Sequence, residues 1–345
     1  MRTLAEWTVT EYFGYDWPEQ MVWHEVSGLP EGLPLEVVDQ ANRSRPAQFD
    51  ARRQAVCYVT DLPARAAMRY VLGPAGNPPE PSLGCCEEGG RLRIDNSRIG
   101  IELAWGEAAG SAAGEPPLFG VRGVDGVWFG GSGLRTGSAV VSRRTRFDAK
   151  GPVLIEAVQS YVLGDGTTLE IMYAIDAASP VVRVTIRQEG PAGGELVWHL
   201  GCKFRPDQAY WRPFHPSEGR AQRPWNPDGF ERQSYPMRYP VVPDVVNMRL
   251  LYNWPIDGSN LWAGWRLDDR RDLLMIGPIR PSRNHTPPEY LAAELRAGTA
   301  DGSRFLDYAI PLQNGVKVFA LGVLDRDQTD VACEPSVGPA NDIDR

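Results

Sequence analysis

Between Phe204 and Trp265 the chain concentrates aromatic rings among hydrogen-bonding side chains. Tyr210, Trp211, Trp225 and Tyr235 are followed by Tyr239, Trp254 and Trp262, with Arg212, His215 and Asn226 interspersed. A sugar presents apolar C–H faces ringed by hydroxyls, so a site for one needs flat aromatic platforms plus directional polar partners. This stretch holds both. The same composition also suits long proline-rich loops packed down by their own rings.

His215 lies in Trp211-Arg212-Pro213-Phe214-His215-Pro216, a loop by its prolines. There, beside Arg212, it is a candidate acid or base acting on a hydroxylated ligand. A second polar segment, Arg280 to Glu289, carries Asn284, His285 and Glu289. His285 and Glu289 are candidates for the acid-base pair that aldose mutarotation needs, one group taking the anomeric proton while the other protonates the ring oxygen. A capped helix start at Pro288 accounts for Thr286 and Glu289 without catalysis. His199 follows Trp198 on the strand face opposite Leu196, Trp198 and Leu200, where it meets either a concave sheet or solvent. Glycosidases need two carboxylates at a set separation. Asp228, Glu231, Asp244 and Asp257 are available, but no motif distinguishes any of them.

Other chemistries lack their signatures. The sequence contains no G-x-S-x-G elbow, no H-E-x-x-H and no phosphate-binding loop. The run Gly130-Gly131-Ser132-Gly133-Leu134-Arg135-Thr136-Gly137 lacks dinucleotide-binding spacing. No metal set or D-x-D-x-D-G calcium loop is present, so the sequence points to no cofactor. The 44 acidic and 36 basic residues give a net charge of −8, and the arginines are dispersed among acids, which argues against nucleic acid. Five cysteines, Cys57, Cys85, Cys86, Cys202 and Cys333, are odd in number and form no C-x-x-C, so reduced thiols are expected. Met1 to Tyr15 has no basic and then apolar leader pattern, and no stretch approaches the roughly 20 apolar residues of a membrane span. A cytoplasmic chain with no membrane partner is the expectation.

The elements that must position these residues read as strands. The 36 glycines and 30 prolines interrupt the apolar pattern too often for long helices. Leu92 and Ile94, then Ile99, Ile101 and Leu103, alternate with polar residues at period two, as do Val182, Val184 and Ile186, and Leu196 to Phe204. Gly164-Asp165-Gly166-Thr167 predicts a hairpin between 154–163 and 168–175, and Gln313-Asn314-Gly315 a second between 305–312 and 316–324. Only Pro288 to Ala297 has helical composition. Proline and glycine at Gly73–Gly90 predict a linker, and Gly106–Gly120 a softer one. The expected fold is an all-β antiparallel sandwich with at most one or two short helices. It divides into an N-terminal strand preface and linker (1–84) packed on the sandwich, the sandwich itself (85–330) and a frayed tail (331–345).

Several segments also carry a family likeness. Gly14-Tyr15-Asp16-Trp17-Pro18, Arg45-Pro46-Ala47-Gln48-Phe49, Val59-Thr60-Asp61-Leu62-Pro63 and 92–103 resemble the opening of multidomain glycoside hydrolases and polysaccharide lyases. In those proteins a galactose-mutarotase-like β-supersandwich often adjoins a helical toroid. The pieces 151–166 and 308–321 are similar to strands of that supersandwich. The resemblance implies a carbohydrate-active protein that binds or processes an oligo- or polysaccharide in an aromatic-lined concave site, as an enzyme or a fragment of one. It equally implies the alternative of a non-catalytic sugar-binding or scaffold domain packed against a helical catalytic domain or partner chain. The chain ends where a toroid would begin.

Overall fold

The computed structural model describes residues 2–12, 14–76, 82–191, 193–199 and 303–325, together with six strands at 208–212, 237–238, 246–249, 262–266, 271–276 and 294–300. Among these residues 26 strands form four sheets, every pairing antiparallel, with a single 3-10 turn at Gly110–Gly114. The all-β expectation holds. No helix among the described residues is long and apolar enough to cross a membrane.

The centre is a ten-stranded sheet. Its spine runs through Val140–Lys150, Leu154–Leu163, Thr168–Asp176, Val181–Glu189 and Gly315–Asp325, then out through Arg271–Ile276, Trp262–Arg266 and Gln208–Arg212. Two five-stranded sheets contribute to the same core. One contains Gly84–Glu88, Arg91–Asp95, Gly100–Ala104, Leu118–Arg122 and Trp128–Phe129; the other contains Gly131–Thr136, Gly194–His199, Ser303–Leu312, Glu294–Ala300 and Val246–Arg249. Period-two alternation explains the packing: Leu92, Ile94 and Ile101 from the first sheet, Leu196, Trp198 and Ile310 from the second, and Tyr173, Val184 and Phe319 from the ten-stranded sheet share one buried cluster.

Residues 5–74 form a six-stranded sheet with a core of its own around Trp7, Tyr58 and Tyr70. Its other face meets the ten-stranded sheet, where buried Cys57 packs with Val153, Leu154 and Ala174. Gln48 fixes that contact, donating to the Leu154 carbonyl at 3.0 Å while its Oε1 accepts from the Leu154 and Val153 amides at 2.9 and 3.2 Å. Elsewhere, fully buried Asn96 donates to the carbonyls of Asp176 and Ser179 and accepts from the amides of Arg98 and Ile99, so one side chain pins a turn of one sheet to the end of another.

Four sequence expectations need correction. The Asp165-Gly166 turn closes a hairpin as expected, but Gln313-Asn314-Gly315 does not. Ser303–Leu312 pairs with Gly194–His199 and Glu294–Ala300, whereas Gly315–Asp325 pairs with Val181–Glu189 and Arg271–Ile276. The turn carries the chain from one sheet to the other, because Ile310 and Leu312 face Phe319 and Leu321 across the core. Glu294–Ala300 is a strand, although Pro288–Ala297 has helical composition: seven cross-strand partners on Ser303–Ala309 override local propensity. The expected linker at Gly73–Gly90 contains the hairpin strand Gly84–Glu88, paired with Arg91–Asp95 through the Gly89-Gly90 turn, whose positive φ values glycine supplies. The softer one at Gly106–Gly120 is folded into the strand Glu107–Ala109, the 3-10 turn and the start of Leu118–Arg122.

Candidate functional site

The residues singled out from the sequence divide into two groups. Tyr210, Trp211 and Arg212 lie on the strand Gln208–Arg212, so Trp211 and Arg212, expected in a loop, are strand residues. That strand pairs with Trp262–Arg266, setting Arg212 opposite Trp262 and Trp211 opposite Ala263. Backbone pairing thus brings four of the expected residues into one ribbon toward one end of the ten-stranded sheet. His215, Trp225, Tyr235, Tyr239, Trp254, Asn284, His285 and Glu289 lie outside the described residues.

The most chemically organised pair among the described residues is His199 with Asp307. His199 ends the strand Gly194–His199, and Asp307 stands directly opposite it on Ser303–Leu312. Nδ1 of His199 lies 2.8 Å from Oδ1 of Asp307. The imidazole is 45% exposed and the carboxylate 15%. Alternation explains the placement: Leu196 and Trp198 turn into the core, so His199 turns outward, in accord with the face its sequence position indicated. On this outward face Val197 and Ala309 are nonetheless buried at 0% and 1%, so the pair stands at the margin of a covered patch.

The glycine-rich run supplies the next component. It forms the strand Gly131–Thr136, with Gly133 paired to Val197 and Gly131 to His199. A Cβ placed on Gly133 would lie 3.1 Å from Nε2 of His199, so the bare backbone leaves room for the ring edge. The backbone row continues from Asp307 to Arg296 and then Asn247 on the next two strands. One step along the face, Arg135 and Glu195 form an ion pair at 2.9 Å.

Such a pair performs recognisable chemistry. A carboxylate that accepts Nδ1–H fixes the imidazole tautomer and orientation, leaving Nε2 to take or give a proton. Asp307 was not legible from the sequence. Its position outward of Ile310 and Leu312 follows from alternation, but its partner lies 108 residues away.

Neither a protein-family model nor a curated protein matches the chain. Solved structures do. An α-mannosidase from Enterococcus faecalis V583 matches at TM-score 0.52 and 8% identity, over 95% of this chain and 44% of that one. The chain therefore spans less than half the length of that protein. A galactose 1-epimerase from Lactobacillus acidophilus NCFM matches at TM-score 0.37 and 9% identity, over 70% of this chain and 98% of that one. A GH36 α-galactosidase from Geobacillus stearothermophilus matches at TM-score 0.34 and 10% identity, over 70% and 40%. At 8% identity the α-mannosidase match is a likeness of fold alone.

Proposed function

We propose that this chain is a carbohydrate-active protein that binds a saccharide and processes it with His199 as proton-transfer group. The observation that carries the reading is the 2.8 Å contact between His199 and Asp307 on an outward sheet face, with Nε2 of the ring above the bare backbone of Gly133. In this reading Nε2 takes a proton from a sugar hydroxyl, Asp307 stabilises the imidazolium that forms, and the proton returns to the ligand in the next step. Tyr210, Trp211, Arg212 and Trp262 supply the aromatic and cationic contacts. His215, His285 and Glu289 are the candidates for a complementary acid or base, with Trp225, Tyr235, Tyr239, Trp254 and Asn284 completing the surround.

A second reading has its own support. The α-mannosidase match covers 95% of this chain and less than half of its partner, which suits a non-catalytic sugar-binding or scaffold domain set beside a helical catalytic domain or chain. One experiment separates the two. Purified protein is offered a panel of free aldoses, followed by anomeric exchange in NMR, and a panel of aryl glycosides and polysaccharides, followed by product release. Binding is measured in parallel by calorimetry. The enzyme reading expects turnover that falls about 10²–10⁴-fold in His199→Ala, the usual contribution of a general acid or base, with Gly133→Ala also impaired. Saccharide binding without turnover selects the second reading, and no binding to any member of the panel contradicts both.

A further inference from the structure

The outer face of the sheet that begins at Gly84 carries a second polar construction, separate from His199. Arg91 and Arg93 are two residues apart on one strand and therefore project from the same side, about 7 Å apart at ordinary strand rise. In register beside Arg93 stand Cys86 on one neighbouring strand and Glu102 on the other. Both arginines converge on Oε1 of Glu102, Arg91 at 3.0 Å and Arg93 at 3.6 Å. Glu102 is only 7% exposed, while the two arginine side chains are 49% and 52% exposed.

Aromatic rings hold the cations in place. The Arg91 guanidinium lies 4.1 Å from the centroid of Phe119 and that of Arg93 lies 5.8 Å from Trp128. Phe119 reaches this face through a β-bulge. Leu118 and Val121 both turn into the core, so two residues, Phe119 and Gly120, occupy the outward positions between them. Trp128 lies against Gly100 and Gly120, where Cβ atoms would come within 3.4 Å of its ring. Beside the arginines a cavity of about 280 Å³ is lined by Cys86, Glu88, Gly89, Arg91, Arg93 and Glu102. That is just below the usual range of ligand pockets, about 300–1,000 Å³, and suits one sugar ring better than a chain of them.

We propose that this cavity binds a carboxylate-bearing sugar, a hexuronate. Each guanidinium has five N–H donors in a planar fork that matches a carboxylate, and the single shared contact to Oε1 leaves most of them for a ligand. Glu102 sets the rest of the specificity. A carboxylate offers about four lone-pair sites, so Glu102 accepts from a ligand hydroxyl, while its charge opposes a dianion such as phosphate brought between the arginines. An acid with hydroxyls beside its carboxylate satisfies both signs. A neutral sugar leaves the arginines unmet. The ligand class follows from residues of this face alone and does not rest on the reading of His199.

Cys86 provides the test on the intact chain. It is exposed at the rim, whereas Cys85 is half-buried with its thiol pushed up by burial, and Cys57 is buried with its thiol pushed up to about 12. Alkylation by neutral iodoacetamide is followed residue by residue by peptide mass spectrometry. Parallel arms contain D-galacturonate, D-glucuronate, the neutral parent sugars, acetate or inorganic phosphate at matched ionic strength. The uronates are expected to slow Cys86 several-fold, with Cys85 as internal control, and the other additives to leave it unchanged. Arg93→Gln should abolish the protection, and His199→Ala should retain it. The proposal is overturned if neither uronate protects Cys86, if the neutral sugars protect equally, or if acetate and phosphate protect equally, which would mark an adventitious ion only.

Discussion

The rings of Trp198 and Phe319 meet across the core with centroids 4.9 Å apart and planes inclined by 57°. They belong to different sheets, Trp198 to Gly194–His199 and Phe319 to Gly315–Asp325. Both are buried, at 0% and 2%, and Trp198 is the largest fully buried side chain among the described residues. The contact joins the strand that carries His199 to the ten-stranded sheet.

Phe319→Ala should therefore cost about 3–5 kcal/mol, the usual penalty for emptying an aromatic core position. Phe319→Leu should cost much less. Denaturant melts of both variants check this. Equal and small losses would mean that the two sheets do not depend on this contact.

Acid should weaken the junction of the N-terminal sheet with the sandwich. Arg53 bonds Glu156 at 2.7 Å and also pairs with Asp50, while Arg52 reaches Asp148 at 2.8 Å and Asp50 at 3.4 Å. Burial raises the Asp50 carboxyl, but hydrogen bonds from Arg52 and Arg53 outweigh it, and the result lies below the ordinary value. A carboxylate depressed in the folded state stabilises fully above its unfolded pKa, near 3.9, and loses that contribution as pH falls through the folded value. Melting temperature should fall below about pH 4. Arg53→Ala should cost about 1–3 kcal/mol at neutral pH, a partly exposed version of a broken buried pair, and should flatten the acid limb. An acid limb unchanged in the variant would contradict this.

Lys317 should give the opposite pH signature. It shares its strand face with core residues Phe319, Leu321 and Val323, is 5% exposed, and donates to the Pro311 carbonyl. Burial pushes its ammonium down to about 8. Between pH 8 and the unfolded value near 10.4, the unfolded chain holds a proton that the folded chain has released, so stability rises with pH across that window. Compared with Lys317→Met, wild type should gain relative melting temperature from pH 8 to pH 10. A constant difference between the two proteins would place the amine in a more solvated setting.

The parts of the fold that were legible from sequence are those that alternation fixes locally. Val182, Val184 and Ile186 point inward as their spacing requires, and Asp165-Gly166 closes the turn its chemistry suits. Asn314-Gly315 shows the limit. Turn residues specify that the chain bends, but the partner of each flanking strand is chosen by burial across the core, and here the two strands belong to different sheets. Glu294–Ala300 fails for the same reason, since its partners and not its composition decide its state. His199 could be placed outward from Trp198, yet Asp307 could not be joined to it, because strand register over a long separation is not written in either strand. The bulge that turns Phe119 beneath Arg91 was not legible either.

The most direct measurement of the central claim is a saccharide titration of the histidine ring resonances by NMR. The chain has four histidines, and His199→Ala assigns the signal in question. If His199 is the proton-transfer group of a sugar site, its ring resonances shift and saturate along the same curve as calorimetric binding, and Asp307→Asn weakens that response. Saturable sugar binding that leaves the His199 signals in place would contradict the account.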